Sequence, residues 1–244
     1  MLLIQRFDNE DGRNLIAQKM NEFGEILEKL CDIYQIRPFT HQSVQSLTEM
    51  YLLTLAVESH TILEIGCGSR SSTIALASAA AELEHDCVLY GLDIAPTPFE
   101  QFSRINFPNL NFCKVVDIVT DVTQFEIPDD WERPILTLYD AHDEDILGSV
   151  ISSHAILNWF PKLSGQVIAM HDFSVFPADD PFAPDNNHVM ALHFSNRKII
   201  GFREVTPLVS WMNELKIDFT RPGDELAEMG FKNGDSSLIY FTAP

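Results

Sequence analysis

Cations are scarce in this chain: 16 Lys and Arg stand against 36 Asp and Glu in 244 residues, a formal charge of -20. Such a chain repels phosphate backbones and anionic membrane surfaces, so nucleic acid and membrane are not expected as partners, and the acidity reads either as solubility or as a preference for small neutral or cationic molecules. Cysteine is nearly as sparse. Cys31, Cys67, Cys87 and Cys113 are far apart and form no C-x-x-C pair, which excludes a disulfide framework and fits a reducing, cytoplasmic setting. Long hydrophobic runs are missing too. No stretch approaches the ~18 apolar residues of a membrane span, and the opening MLLIQRFDNEDGRN turns charged too soon for a signal peptide or anchor. Internal repeats and low-complexity segments are also lacking. The remainder is ordinary for a globular protein, 45% hydrophobic and 21% charged, with the length of one large domain.

Along residues 14–34, Leu15, Ile16, Met20, Phe23, Ile26, Leu27 and Leu30 recur at three-and-four spacing, which predicts an amphipathic helix. Arg37-Pro38 stops it. Thr40 is the expected N-cap of a second helix through HQSVQSLTEMYLLTLAVES. Residues 1–59 therefore read as a helical flank or lid, and residues 60–244 as the main α/β domain. From residue 61 the pattern becomes TILEIG, a helix over SSTIALASAAAELE, CVLYGLDI, LNFCKVVD, ILTLYDAH, a helix near Asp145 to Phe160, and QVIAMHDFS. Strands alternating with helical crossovers predict a doubly wound, mostly parallel sheet. Residues 173–198, with three prolines and many Asp and Asn, read as a long functional loop with some helix. KIIGFREV and SSLIYFTA add two strands, seven in all, with a helix near Val209 to Leu215 between them and the last strand at the sheet edge.

The segment LEIGCGSRSST sets Gly66 and Gly68 between a buried strand and a helix rich in Ala, Ser and Thr. Glycines there permit a tight turn and close backbone approach to a ligand. A dinucleotide fingerprint asks for a third glycine, where Ser71 stands, and for an acid about 20 positions on. Asp93 comes 27 positions after Gly66. With Glu64-x-Gly66-x-Gly68 and an acid ending the second strand, the stretch resembles the class I S-adenosylmethionine-dependent methyltransferases. The resemblance implies that Glu64, Gly66, Cys67, Gly68 and Ser72 form the S-adenosylmethionine loop, facing the amino-acid end of the cofactor, and that Asp93 accepts the ribose hydroxyls. Asp117, closing the third strand, is either a polar neighbour of the adenine or a turn aspartate. Cys67 is a small packing residue of the loop, not a nucleophile.

Strand four ends Tyr139-Asp140-Ala141-His142-Asp143 and strand five ends Met170-His171-Asp172. In an open parallel sheet these ends face one crevice, and two carboxylates brought together call for a proton or a cation between them. The pairing resembles a metal-dependent subgroup of O-methyltransferases, the cephalosporin hydroxylase-like and macrocin-type enzymes, over about Thr61 to Ser174. It implies that Asp140 and Asp172 hold a divalent cation, with Mg2+ favoured for oxygen ligands, and that His142 is the general base. Asp143 competes with Asp140 as ligand, a third ligand is open among Asp143, Asp179, Asp180 and Asp185, and His171 reads as a packing or supporting residue.

The function implied is metal-assisted O-methylation of a small hydroxylated acceptor, with N-methylation open. Two alternatives stand beside it: a non-catalytic binding module on the same fold, and an NAD-linked oxidoreductase. The face bearing Met20, Phe23 and Leu27 either covers the chain's own sheet or pairs with a second copy in a homo-oligomer.

Overall fold

The structure is a computed structural model, described here for residues 1–34, 43–68, 70–94, 113–140, 156–171, 173–177, 189–194, 197–202, 206–231 and 238–244. The chain opens with helices α1 (Leu2–Phe7), α2 (Glu10–Tyr34) and α3 (Val44–Val57). Asn9 starts α2 by accepting the Gly12 amide at 2.8 Å, and the expected spacing puts Ile16, Phe23, Ile26 and Leu30 in the core. Ser43 caps α3, its hydroxyl accepting the Ser46 amide at 3.0 Å. The cap expected at Thr40 lies outside the described residues. Helix α3 is buried from Gln45 to Leu55, which is allowed because several of its polar groups find partners within the helix. Thr48 and Thr54 donate to carbonyls one turn back, and Gln45 donates to Glu49.

Strands β1 (Thr61–Ile65), β2 (Val88–Asp93), β3 (Lys114–Val119), β4 (Ile135–Tyr139) and β5 (Val167–Met170) pair in parallel. With β9 (Ile239–Thr242), antiparallel to β5, they form a six-stranded sheet ordered β3-β2-β1-β4-β5-β9. The side-chain period of two is clear in β4: Leu136 and Leu138 join one apolar cluster, Ile135 and Tyr139 the other. The first cluster carries α4 (Ser71–Ala80) and also Phe23, Leu47 and Tyr51, so the N-terminal helices share a core with the sheet. The second carries Trp159, Phe160, Leu208 and Met212 on the opposite face.

Two expectations are corrected. Among the described residues the sheet has six strands and not seven, because β8 (Arg197–Phe202), which overlaps KIIGFREV, lies between β6 (Phe173–Pro177) and β7 (Val189–Phe194) in a separate antiparallel sheet. Connectivity sets its pairing: only residues 195–196 separate β7 from β8, far short of the dozen or more that a parallel crossover needs, so β8 turns back beside β7. The stretch expected to be a loop thus contains β6 (Phe173–Pro177) and β7. Its apolar residues run consecutively, as in Val189-Met190-Ala191-Leu192, which hides the alternation by which a half-exposed strand is recognised. The helix expected near Val209 is α5 (Thr206–Glu214), and α6 (Pro222–Glu228) follows, begun by a proline at its first position. The helix expected from Asp145 lies mostly outside the described residues. No described helix is long and apolar enough to cross a membrane.

Candidate functional site

The strand order reverses at β1, whose neighbours are β2 and β4. The C-terminal ends of these three strands therefore border the crevice where open α/β sheets bind ligands. The glycine loop leaves β1 here. The Gly66 amide donates to the Leu92 carbonyl at 2.9 Å, a last sheet-like bond before the chain turns. Gly66 and Gly68 have φ of 86° and 42°, left-handed values that L side chains seldom adopt, and a Cβ on Gly68 would meet open space. The Gly68 amide donates to Asp93 Oδ2 at 3.0 Å, so the loop and the acid at the end of β2 are direct neighbours, 25 positions apart in sequence.

Beneath the loop, Glu64 is fully buried. Its two oxygens accept the hydroxyls of Ser72 at 2.5 Å and Thr73 at 2.6 Å, which ties the start of α4 to β1. Burial pushes its carboxyl up to about 7; the two hydroxyl bonds and nearby Arg70 oppose that shift and the charge of Asp140 adds to it. Glu64 and Ser72 thus brace the loop from the core side. Cys67 is buried, and burial, reinforced by the Glu64 charge, drives its thiol far above the ordinary range, as the packing role expected for it requires.

Asp117 does not close the third strand as expected. Strand β3 continues to Val119, and Asp117 sits within it, in register with Gly91 of β2. Its Oδ1 accepts Nη2 of Arg70 at 2.7 Å, in an ion pair whose arginine is entirely buried. Arg70 itself occupies the N-cap of α4 at φ 67°.

On the other side of the switch point, the Asp140 amide donates to the Ile65 carbonyl at 2.9 Å, extending the β1–β4 pairing by one residue. Its carboxylate lies 3.3 Å from Nδ1 of buried His171, so His171 has the supporting position expected of it. His142, Asp143, Asp172, Asp179, Asp180 and Asp185 lie outside the described residues. Among the described residues, no group of three His, Cys, Asp or Glu is placed to hold a metal ion.

No protein-family model matches the chain, and no curated protein matches it. Solved structures do. A candidate caffeoyl-CoA O-methyltransferase from Staphylococcus aureus superposes with a TM-score of 0.53 at 15% identity, over 96% of this chain and 100% of that one. The chain has the methyltransferase fold. Two further similar structures are the O-methyltransferase TomG from Streptomyces achromogenes in complex with SAM (TM-score 0.43, 15% identity, 74% of this chain and 88% of that one) and the SAH-bound methyltransferase PaMTH1 from Podospora anserina (0.42, 15%, 80% and 96%).

Within this methyltransferase fold, three features of the crevice are invisible to motif reading. Ile94 and Val119 are 71% and 66% exposed, large apolar side chains at the ends of β2 and β3, Ile94 next after Asp93 in the chain and Val119 in register with Asp93 across the sheet. Their sequence signal is an apolar residue at a strand end (Val119) or just past one (Ile94), where polar residues are the rule. Arg70 is the third. It reads as an ordinary capping residue until its burial is known, although a mid-strand glycine such as Gly91 signals that something approaches the backbone closely.

Proposed function

We propose that the protein is an S-adenosylmethionine-dependent methyltransferase that O-methylates a small hydroxylated acceptor with the help of a divalent cation. The observation that carries this reading is the juxtaposition of the glycine loop with Asp93: an open turn of positive φ, its Gly68 amide bonded to a carboxylate at the switch point of the methyltransferase fold. The loop fits the amino-acid end of the cofactor, since the space over Gly68 is clear. Asp93 accepts ribose hydroxyls through charge-assisted bonds, and exposed Ile94 and Val119 offer apolar surface to the purine. An NAD-linked reading has less support, because a third glycine is lacking and Ser71 already starts α4.

The reaction asks little covalent work of the protein. As the acceptor oxygen bonds to the methyl carbon, the carbon–sulfur bond breaks, the sulfonium becomes a neutral thioether and the hydroxyl proton leaves. His142 is the proposed base for that proton. Asp140 and Asp172 are the proposed holders of the cation, which when bound makes the acceptor hydroxyl more acidic. Asp140 suits that task in being fixed, by its amide bond to β1 and by His171 at its carboxylate.

The test is ligand-induced stabilisation. At about a hundred times Kd, a ligand adds about 2.7 kcal/mol to unfolding, so S-adenosylmethionine or its demethylated product should raise Tm clearly and NAD should not. A rise with NAD alone overturns the reading. Stabilisation by S-adenosylmethionine without turnover on any hydroxylated acceptor leaves a binding module.

A further inference from the structure

Arg70 is an arginine with no exposed side-chain surface, in a left-handed backbone conformation, in a chain with few cations. A buried guanidinium is tolerated only when paired, and a left-handed conformation persists only where surrounding contacts hold it. Both conditions are met by one path. The Arg70 amide donates to the Cys67 carbonyl at 2.7 Å, closing the loop on itself. The side chain then runs across β2 at Gly91 and ends on Asp117 of β3. Gly91 is what leaves the path open, since a Cβ there would lie 2.8 Å from Nη1 of Arg70 and 2.8 Å from Sγ of Cys67.

We propose that Arg70 is a positioning residue of the cofactor site: a strut, cleared by Gly91 and anchored on Asp117, that fixes the glycine loop over the sheet and sets Gly68 against Asp93. The proposal rests on the methyltransferase reading above and extends it to residues that are not cofactor contacts. It also assigns Asp117 to the strut. The loop is thereby tied to two strands by bonds only two residues apart, Gly68 to β2 and Arg70 to β3, and a ligand settling against the loop and Asp93 meets groups of fixed position. Positional errors near 1 Å in such a site are costly, on the order of a hundredfold in function.

The experiment uses Gly91→Ala, which crowds the guanidinium without removing a charge, together with Arg70→Met and Arg70→Lys. Hydrogen exchange without ligand reads the strut: amides of residues 66–70 should exchange faster in Gly91→Ala, while those of α3 stay as in wild type. Calorimetry reads the positioning role. Affinity for S-adenosylhomocysteine should fall roughly tenfold to a hundredfold in Gly91→Ala and Arg70→Met and less in Arg70→Lys. The loss should be smaller for 5′-methylthioadenosine, which lacks the amino-acid end that faces the loop. Unchanged loop exchange overturns the strut. Faster exchange with unchanged affinity, or equal losses for both ligands, overturns the positioning role. If wild type binds neither ligand, the methyltransferase reading itself fails, and the positioning role falls with it. Should Arg70→Met not fold, the Gly91→Ala measurements decide alone.

Discussion

At the residue scale, the crevice is governed by carboxylates with different environments. Asp93 is bonded to one backbone amide, and Asp93→Ala should weaken S-adenosylmethionine by about 1–3 kcal/mol, the worth of a charge-assisted hydrogen bond. Calorimetric affinity equal to wild type would remove Asp93 from the site. Glu64 differs in being sealed in the core, with its carboxyl pushed from 4.5 up to about 7. The native state holds this proton more tightly than the unfolded chain does. Between these values the native state binds more protons, so Glu64 makes stability fall as pH rises. Its contribution is fully favourable below about 4.5 and is lost by about 7, a swing of order 3 kcal/mol at most. Urea unfolding at several pH values should show a slope over that window in wild type that is missing in Glu64→Gln. Identical slopes in the two proteins mean that Glu64 is ionised throughout. Glu64, Gly66, Gly68 and Asp93 were legible because a strand, a turn and a strand end are local patterns. Arg70's role was not, since its partner lies 47 positions away and no periodicity links the two.

At the scale of elements, the N-terminal helices are held by polar contacts as well as by apolar packing. Lys19 of α2 lies between Glu22 and Glu82 at 2.9 and 2.8 Å, and the Tyr51 hydroxyl of α3 also donates to Glu82, just past α4. The start of α1 is capped from far along the chain. Buried Glu225 of α6 accepts the Leu3 amide at 3.0 Å and the Tyr240 hydroxyl at 2.8 Å, and Tyr240 accepts the Leu2 amide at 2.9 Å. Glu225 Oε1 also accepts the Ile4 amide, and Glu225→Ala leaves the Leu3 and Ile4 amides without their acceptor. Faster hydrogen exchange is expected at Leu3 and Ile4, with α4 unaffected; unchanged protection at Leu3 would mean that packing alone holds α1. The amphipathic period revealed α2, but no signal in the first seven residues points to a glutamate 222 positions on. The second sheet was hidden for another reason: β7 is apolar at successive positions, and a loop composition surrounds it.

At the scale of the whole molecule, the doubly wound architecture followed from alternating strands and crossovers, and the loop's place at the switch point follows from that architecture. Strand order and the separate antiparallel sheet did not, because pairing partners are chosen by packing across the sheet. The metal mechanism is tested at this scale, since it joins the ends of two strands. Asp140→Asn and Asp172→Asn should each abolish metal-dependent turnover while S-adenosylmethionine still binds, and chelation should do the same to wild type. Turnover that survives chelator overturns the metal mechanism and leaves His142 as a base acting alone.

The antiparallel edge strand β9 sets the timing of folding during synthesis. Residues 2 and 240 are bonded to each other, and β5 finds its outer neighbour only in residues 239–242. A nascent chain leaving the ribosome carries β1 to β5 and α1 with these partners still unmade, so the outer edge of β5 stays open to pairing with other chains until β9 emerges. Closure of that edge therefore comes after the pairing of β1 to β5, and chaperone protection matters most in the interval before β9 is released.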